Sequence, residues 1–498
     1  MDLGGPASTP KEARSIAEEL GCPVVIKMQV WVTGRAGLGG IQFADTPEET
    51  EKKAAEILGR PVGNYVVEKV LVEEKLDIEK EFFAGLVIDD ASKSPVLVFS
   101  SVGGTGIEEI AKENPDKVAT HTIDVMKGLR DYEARDLVRQ TGISGKLLLQ
   151  LGDVLTRLYG VLKRFDARSA EINPLVLTKD QHVYAADCHM AVDDYAAFRH
   201  PELGIEVARE FDRPPTELEK IAYRVEEKDY RGTFYFLQMK ENIRNDDRAI
   251  GFNGAGGGGS MMSMDAVLNC GFELANYCDT SGNPAASKVY RAAKIILSQP
   301  RIKGYFASGS GVASQEQYHS ARGLVKAFSE EQIRIPAVIR LGGNYEEKAV
   351  EILTEHLKDM DGKVEGYGRD DSPEFCARRM EELIEENGMR SHELTPLEDP
   401  DIPAGSYEFE TFTGKIYFDH SKCCECTTFG CIQECLPQIL ELKDNSPVLA
   451  IEEDAAKKGK CTECLACELY CRFHESGAIQ IHLPIPGLKE YRDKLLKE

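Results

Sequence analysis

The sequence predicts an α/β protein of several domains, with a doubly wound parallel sheet in its second half and a small cysteine-rich module at its end. Three observations predict this fold class. The chain has 498 residues, enough for two to four domains. Strand-like and helix-like segments alternate over most of its length, which is typical of α/β folds. Nine of its 14 cysteines lie between Cys423 and Cys471.

The first predicted domain covers residues 1–225. The segments "PVVIKMQV" and "NYVVEKVLVE" predict strands because they are rich in β-branched residues. The segments "EETEKKAAEILG" and "GKLLLQLGDVLTRLYGVLKRF" place apolar residues at helical spacing. We interpret "RPPTELEKIAYRVEEKDY" as a connector to the next domain.

The second predicted domain covers residues 230–390. In "AIGFNGAGGGGSMMSMDAVLNCG", "VYRAAKIILSQPRIKGYFASGSG" and "IPAVIRLGG", short apolar strands end at glycines and alternate with helices. This pattern predicts a flavodoxin-like parallel sheet with ligand loops at the strand ends. A stretch rich in proline and acid predicts a linker over residues 391–415, and the cysteine module follows over residues 416–498.

Composition excludes several functions. The net charge of −24 argues against non-specific binding to nucleic acid or to anionic membranes. No apolar run reaches the roughly 18 residues of a membrane span, and no secretory signal is visible. We therefore expect a cytoplasmic protein in a reducing compartment, where clustered thiols more often bind metal than form disulfides.

The second cysteine run has the spacing C-x2-C-x2-C-x3-C, which is the ligand run of bacterial ferredoxins. The first run has the spacing C-x2-C-x4-C-x3-C, two residues longer between its second and third cysteines. Zinc needs four ligands, whereas about eight cysteines are available here. One cluster or a zinc site remain as alternatives, and so does a cluster that only stabilises a small module.

The tail resembles a two-cluster ferredoxin domain of the α+β class over about 80 residues. The resemblance implies two [4Fe–4S] clusters and leaves Cys424 as a spare thiol. The implied ligands are Cys423, Cys426, Cys431 and Cys471 for the first cluster, and Cys435, Cys461, Cys464 and Cys467 for the second.

In the first domain, Lys27 ends a predicted strand and precedes a glycine-rich loop that holds Arg35. A lysine and a loop with free backbone amides suit phosphate binding, although a strand followed by a plain turn has the same pattern. Further on, Glu171 and Asn173 lie two residues apart, on one face of a predicted strand. A hairpin whose second strand ends at Asp187 brings Asn173 and Asp187 together as hard oxygen ligands suited to Mg²⁺.

Six stretches occur together in order over about residues 8–390: "KMQVWVTGRAGLGG", "VLVEEKLDIEKEFFAG", "SSVGGTGIEEIAKENPDK", "EINPLVLTKDQHVYAAD", "GFNGAGGGGSMMSMD" and "AAKIILSQPRIKGYFASGSG". With them the chain resembles the β subunit of succinyl-CoA synthetase and the matching half of ATP-citrate lyase. The resemblance implies an ATP-grasp domain, a CoA-ligase domain and an ADP-forming acyl-CoA synthetase that uses ATP, Mg²⁺ and CoA.

The resemblance also implies roles for single residues. The phosphate-binding group would be Lys27, Gly34, Arg35 and Ala36. Glu73 would lie at the adenine and ribose hinge, and Glu81 near the ribose and phosphates, although both could form a plain acidic surface. Asn173 and Asp187 would bind Mg²⁺, and Glu171 would orient a phosphohistidine. The site where phosphate meets the carboxylic acid would hold Asn253, Gly309, Gly311 and Val312, with Gly311 opening a helix.

The histidine and the CoA-binding domain of such enzymes belong to an α-type subunit, so the resemblance implies a hetero-oligomer. The loops "ASGSGVAS" and "DTSGNP" differ from the family pattern, and we do not expect the acid to be fixed as succinate. The resemblance implies a strand and a helix before "GGPASTP". We therefore expect that the edge of the ATP-grasp domain is trimmed or that a partner supplies it. The tail predicts a redox partner, such as a ferredoxin-dependent oxidoreductase. An ATP-driven electron carrier and an inactive scaffold subunit are the alternative functions.

Overall fold

The computed structural model describes residues 4–32, 34–103, 114–209, 213–229, 234–309, 311, 313–424 and 426–497. The chain divides into two compact units, Met1–Pro214 and Pro215–Glu498. Among the described residues, no helix is both long and apolar enough to span a membrane.

The first unit begins with a four-stranded antiparallel sheet of order β1-β6-β2-β3. Its strands are β1 (Gly4–Ala7), β2 (Val24–Gln29), β3 (Ile41–Ala44) and β6 (Lys69–Glu74). Two helices belong to the same region, α1 (Pro10–Leu20) and α2 (Pro47–Ile57), along with the short pair β4 (Pro61–Val62) and β5 (Tyr65–Val66). Thr9 and Thr46 begin the two helices by accepting hydrogen bonds from backbone amides one turn later.

A second antiparallel sheet completes the first unit, in the order β11-β10-β7-β8-β9 with β12 also paired to β10. Its strands are β7 (Ile78–Asp89), β8 (Ser94–Ser100), β9 (Val118–Thr122), β10 (Ala167–Thr178), β11 (Val183–Ala185) and β12 (Cys188–Val192). Two helices, α3 (Asp131–Gln140) and α4 (Gly145–Arg164), share its hydrophobic core. Short 3₁₀ turns follow at Asp194–Arg199 and Pro201–Leu203.

The second unit contains the predicted parallel sheet, in the order β13-β16-β14-β17-β18-β19 with β15 beside β14. All its pairs are parallel except that of β13 with β16. The strands are β13 (Tyr235–Gln238), β14 (Ala249–Ala255), β15 (Glu273–Leu274), β16 (Asn276–Asp279), β17 (Gly304–Gly309), β18 (Ala337–Arg340) and β19 (Val364–Tyr367). The helices are α5 (Glu217–Glu226), α6 (Gly257–Asn269), α7 (Ala286–Ile296), α8 (Tyr318–Glu331), α9 (Glu346–Leu357) and α10 (Pro373–Glu386).

The remaining elements of the second unit belong to the cysteine module. A three-stranded antiparallel sheet is formed by β20 (Tyr407–Glu410), β21 (Lys415–Phe418) and β24 (Ile479–His482), and a hairpin by β22 (Leu440–Lys443) and β23 (Ser446–Leu449). The helices are α11 (His420–Cys423), α12 (Gly430–Gln433), α13 (Glu453–Ala455), α14 (Ala466–His474) and α15 (Leu488–Leu495). One hydrophobic core runs from the parallel sheet and its helices into this module.

Two segments differ from their sequence-based interpretation. The predicted connector contains α5, which Thr216 and Glu219 start through a reciprocal capping box. Strand β20 begins inside the predicted linker, because Phe409 is buried between two exposed glutamates and pairs with Ile416 of β21. Both segments carry a local pattern that their prolines and charges obscured.

Candidate functional site

Lys27 lies on β2, beside β6, and its side chain is 13% exposed. Its ammonium Nζ donates to Glu73 at 2.6 Å and to the carbonyl oxygen of Ala186 at 2.5 Å. The structure therefore brings together two predicted nucleotide-binding residues. Sequence reasoning missed their ion pair, since residues 46 positions apart gave no sign of contact.

The predicted phosphate loop follows β2. Gly34 and Ala36 are exposed, and Gly34 has φ +69°, a conformation that favours glycine. Arg35 forms an ion pair with Asp187 and lies 3.4 Å from the carbonyl oxygen of Met28. The loop closes where the amide of Gly40 donates to the carbonyl of Arg35 at 2.9 Å.

The hairpin of β10 and β11 brings together the predicted metal ligands. The backbone amide of Asn173 donates to the carbonyl of Asp187 at 3.1 Å. The side-chain amide of Asn173 donates to Glu171 at 3.1 Å, so the three predicted residues are neighbours. The sequence predicted that the second strand ends at Asp187, but β11 ends at Ala185. It resumes at Cys188 as β12, because β10 is long enough to pair with both segments.

The other predicted nucleotide residue, Glu81, is exposed on β7 opposite Val176 of β10. Four side chains make up the candidate nucleotide site. Two are cations, Lys27 and Arg35, and two carry oxygen ligands, Asn173 and Asp187. Cations can hold phosphate oxygens, and a carboxylate with an amide oxygen is a donor set that Mg²⁺ accepts when phosphates and water complete its shell.

A second set of predicted residues lies at the carboxyl ends of the parallel strands. Gly309 ends β17 and Gly311 follows with φ +76°. Asn253 is 5% exposed, two residues before the end of β14, and donates to the hydroxyl of Tyr305 at 2.9 Å. Val312 lies outside the described residues.

The prediction that Gly311 opens a helix is wrong. Helix α8 begins at Tyr318, because residues 313–317 form a loop held by other contacts: Ala313 bridges to Gly343, and the amide of Gln317 donates to Asn344 at 2.9 Å. The strand that passes straight into a helix is β14, where Gly256 precedes α6.

Sequence reasoning missed Arg340 at this second site. Its side chain is 8% exposed, it donates to the carbonyl of Gly309 at 3.1 Å, and its Nη2 lies 3.5 Å from where a Cβ at Gly311 would be. The available signal was an arginine as the last residue of an apolar strand, two positions before a pair of glycines. Asn283 of the "DTSGNP" loop accepts from the amide of Gln315 at 3.0 Å. Gln315 directly follows the "ASGSGVAS" loop, so this hydrogen bond links the two loops that differ from the family pattern.

The first group of cysteines lines one small pocket, with Cys423, Cys426, Cys431 and Cys471 in its wall. Burial raises the pKa of Cys423 to about 11 and that of Cys431 to about 12, and the charge of Cys471 adds to both shifts. The amide of Ala478 donates to the sulfur of Cys471 at 3.1 Å.

The second group consists of Cys435, Cys461, Cys464 and Cys467. Burial raises the pKa of Cys461 to about 12 and lifts that of Cys467 well above its usual value, and other members of the group add to both shifts. Burial also raises the pKa of Cys435, while amides of Ile439, Gln438 and Leu440 offset part of this shift by donating to it. The pKa of Cys467 thus responds to the charges of the other three members of the group.

Cys424 is exposed, and its thiol donates to the carbonyl of Ser421 at 2.8 Å. In the part of the chain that the structure describes, no three His, Cys, Asp or Glu side chains are arranged to hold a single metal ion. Seven of the eight predicted cluster cysteines are buried and Cys426 is partly buried. Cys423, Cys426, Cys431 and Cys471 line one pocket, and Cys424 is not among its lining residues.

Two family models match the chain. A model described as an ATP-grasp domain matches residues 2–177, and one described as ATP citrate lyase citrate-binding matches residues 237–374. The cysteine module lies outside both matched ranges.

Curated relatives match most of the chain. The β subunit of GDP-forming succinate–CoA ligase from Thermus thermophilus is 40% identical over 350 residues, which are 70% of this chain and 88% of the relative. The β subunit of the ADP-forming ligase from Roseiflexus sp. is 37% identical over 354 residues, 71% of this chain and 88% of the relative.

A solved structure of ATP citrate lyase from Methanothrix soehngenii, in complex with citrate and coenzyme A, aligns with a TM-score of 0.64. It shares 19% identity and covers 76% of this chain and 93% of that one, so the likeness shows the fold. The predicted ATP-grasp and CoA-ligase-like architecture is confirmed by these matches.

Proposed function

The chain belongs to the family of succinate–CoA ligase β subunits, and on that premise we propose that it is the β-type subunit of a nucleoside-diphosphate-forming acyl-CoA synthetase. Enzymes of this family are acid–thiol ligases. The reaction joins a carboxylic acid to CoA while ATP becomes ADP and phosphate, and it is reversible. The observation that carries the proposal is the convergence of Lys27, Arg35, Asn173 and Asp187 in one site.

In this proposal Lys27 and the loop of Gly34, Arg35 and Ala36 hold the nucleotide phosphates. Both cations now pair with carboxylates. When nucleotide binds, phosphate oxygens would replace Glu73 and Asp187 as partners of the two cations, and Mg²⁺ would replace Arg35 as the partner of Asp187. Asn173 and Asp187 would hold Mg²⁺, whose charge lowers the repulsion between phosphate groups when it is bound. Glu73 and Glu81 would contact the adenosine.

Glu171 would receive and orient the phosphohistidine of an α-type partner. Its carboxylate already accepts a hydrogen bond from Asn173, which fixes it beside the proposed metal ligands. The partner would also supply the CoA-binding domain.

The carboxylic acid and phosphate would meet at the loop of Gly309, Gly311 and Val312, with Arg340 as its cation. Arg340 donates to the carbonyl of Gly309 and can hold that loop in position for an anionic substrate. Asn253 would stabilise the site through its hydrogen bond to the hydroxyl of Tyr305. The "DTSGNP" and "ASGSGVAS" loops, which Asn283 links, both differ from the family pattern. We therefore propose a carboxylic acid other than succinate.

We further propose that residues 416–498 form a ferredoxin-like domain that binds two [4Fe–4S] clusters. Residues 1–225 and 230–390 form the other two domains, and residues 391–415 link the second of these to the ferredoxin-like domain, with β20 of this linker pairing with β21. Two groups of four thiols, seven of them buried, fit two clusters, since each thiolate binds a different iron and need not share one ion. Backbone amides that donate to Cys435 and Cys471 also fit thiolate ligands. When bound, such clusters transfer single electrons.

A second candidate function is an ATP-driven electron carrier, in which nucleotide turnover controls electron transfer to a partner oxidoreductase. The observation that favours it is the presence of two four-cysteine groups in a module that shares its core with the CoA-ligase-like sheet. In the first function, the same module would dock a ferredoxin-dependent oxidoreductase that makes or consumes the CoA thioester.

One experiment separates these functions. The native complex is purified without oxygen, its partner chains are identified, and ADP release is measured over a panel of carboxylic acids with and without CoA. The synthetase predicts an α-type subunit and ADP release that needs both acid and CoA. ADP release that depends on cluster reduction and not on CoA would overturn the synthetase function and support the electron carrier.

A further inference from the structure

Helix α8 presents two buried cations, Arg322 and Lys326, to the cysteine module. They are one turn apart on the same face, with side chains 6% and 4% exposed. The Nζ of Lys326 lies 2.7 Å from Glu468, which follows Cys467 in the sequence. The guanidinium of Arg322 lies 3.6 Å from Glu434, which precedes Cys435. Both cations therefore contact acids that are adjacent in sequence to cysteines of the second group.

The two cations differ in how fully carboxylates offset them. Lys326 lies 2.7 Å from Glu468, which is buried, and 2.8 Å from Glu330, whose side chain is 30% exposed. Arg322 has only the more distant Glu434, whose side chain is 40% exposed, as an ion-pair partner among the described residues. Its field is consequently the less compensated of the two.

One nitrogen of Arg322, Nη1, is buried without a hydrogen-bond partner in the described part of the chain. A buried donor of this kind is rare in folded proteins, because leaving it unpaired is unfavourable. The guanidinium lies 4.8 Å from the centre of the Tyr318 ring. Burial and Glu316 raise the pKa of Tyr318, and the charge of Cys464 adds to the shift, so this ring lies within electrostatic reach of the second group.

We propose that Arg322 is a positioning residue for the second cluster, with its free N–H group directed at the cluster or its thiolates. This rests on the proposed function, since it needs a cluster at Cys435, Cys461, Cys464 and Cys467. A cluster with four thiolates is anionic and gains one more negative charge on reduction. A nearby buried cation stabilises the reduced form more than the oxidised form. Arg322 therefore raises the reduction potential of that cluster and ties it to a helix of the CoA-ligase-like domain.

The test is a redox titration of the complete purified protein with dithionite as the electron donor, followed by electron paramagnetic resonance. The redox transition that is absent from the titration of Cys467→Ser is assigned to the second cluster. We expect Arg322→Gln to lower the equilibrium constant for one-electron reduction of that cluster at least tenfold, which equals a shift of about 59 mV. Arg322→Lys keeps the charge and should restore most of the difference.

The matched control is Lys348→Gln. Lys348 lies 5.4 Å from the same Tyr318 ring but is exposed to solvent, so its removal should change the constant less than twofold. If Arg322→Gln does not fold, Glu434→Gln takes its place and should raise the constant threefold or more by removing the partner of Arg322. A constant unchanged in the Arg322 variant, or in Glu434→Gln where that takes its place, overturns the inference alone. Absence of iron and sulfide from the wild-type protein overturns the proposed clusters as well.

Discussion

The ammonium of Lys27 lies 2.6 Å from a carboxylate oxygen of Glu73, on the neighbouring strand of the first sheet. The two residues are 46 positions apart, and antiparallel pairing of β2 with β6 brings them together. Without nucleotide the two charges stabilise each other. A bound phosphate would compete with Glu73 for Lys27, so the ion pair holds the lysine in position before the ligand arrives.

Replacing Lys27 with methionine should raise the dissociation constant for ATP at least tenfold, about 1.4 kcal/mol, because the phosphates lose a partly buried cation. The chain has one tryptophan, Trp31, which is 76% exposed at the start of the phosphate loop. Its fluorescence can follow ATP binding. Lys52, exposed on α2, is the matched control, and Lys52→Met should bind ATP as the wild type does. Equal affinities in the two variants would remove Lys27 from the site.

Replacing Asp187 with asparagine should raise the Mg²⁺ concentration needed for half-maximal ATP binding at least tenfold, since the only carboxylate of the proposed metal pair is lost. The measurement is a Mg²⁺ titration at fixed ATP with the Trp31 signal. Asp180→Asn is the control, because Asp180 lies on the same hairpin but contacts the hydroxyl of Thr178. A Mg²⁺ requirement that is the same in both variants would contradict the metal assignment.

The grouping of residues at the candidate nucleotide site could be predicted from the sequence in part, because some of its parts are local patterns. A two-residue offset puts Glu171 and Asn173 on one face of a strand, and a short turn returns the chain to Asp187. The ion pairs of Lys27 with Glu73 and of Arg35 with Asp187 could not be predicted. They depend on which strands become neighbours, and periodicity in the sequence does not contain that information.

The second site was predicted less completely. Arg340 reaches Gly309 because β17 and β18 are parallel neighbours in register, with Ser308 beside Arg340. The helix predicted at Gly311 starts instead at Tyr318, since long-range contacts of the loop outweigh the local glycine signal. Long-range contacts decided both outcomes.

The cysteine groups predict a contrast between neighbouring thiols. Cys431→Ser should reduce the iron content from about eight to about four atoms per chain, because each [4Fe–4S] cluster needs its four thiolates. Cys424→Ser should leave the iron and sulfide content unchanged, since this thiol is exposed and bonds to Ser421. Iron and acid-labile sulfide are measured in protein purified without oxygen. Loss of iron in Cys424→Ser would show that the ligand assignment is wrong.

The ion pair of Arg492 with Glu331 fastens the last helix to α8. Its two hydrogen bonds are 2.7 and 2.9 Å long, and the side chains are 0% and 1% exposed. Arg492→Met should lower the local opening free energy of α15 by about 1–3 kcal/mol, because buried Glu331 loses one of its two cationic partners and keeps Lys294. Hydrogen exchange of the α15 amides measures it. The control is Lys489→Met, because Lys489 lies on the same helix but forms an exposed ion pair with Asp399. Its loss should lower the opening free energy by at most about 1 kcal/mol. Equal losses in the two variants would contradict the argument.

His200 predicts a loss of stability at alkaline pH in the first unit. Its Nε2 lies 2.9 Å from Asp166 and its Nδ1 lies 3.3 Å from Glu202, so the protonated ring can donate to both acids. The hydrogen bond to Asp166 is the main cause that raises the pKa of His200. Because the folded pKa lies above the unfolded value of about 6.5, the contribution is complete below that pH and is lost as the pH rises through the folded value.

The urea midpoint of the first unit should therefore fall between about pH 6 and pH 8 in the wild type, and fall less in His200→Gln, which has no charge to lose. The control is His182→Gln, because His182 is exposed on the hairpin turn and its side chain is 63% accessible. A midpoint that falls equally in the wild type and in His200→Gln would show that another group causes the pH dependence. A rise in the wild-type midpoint over the same range would contradict the sign of the shift.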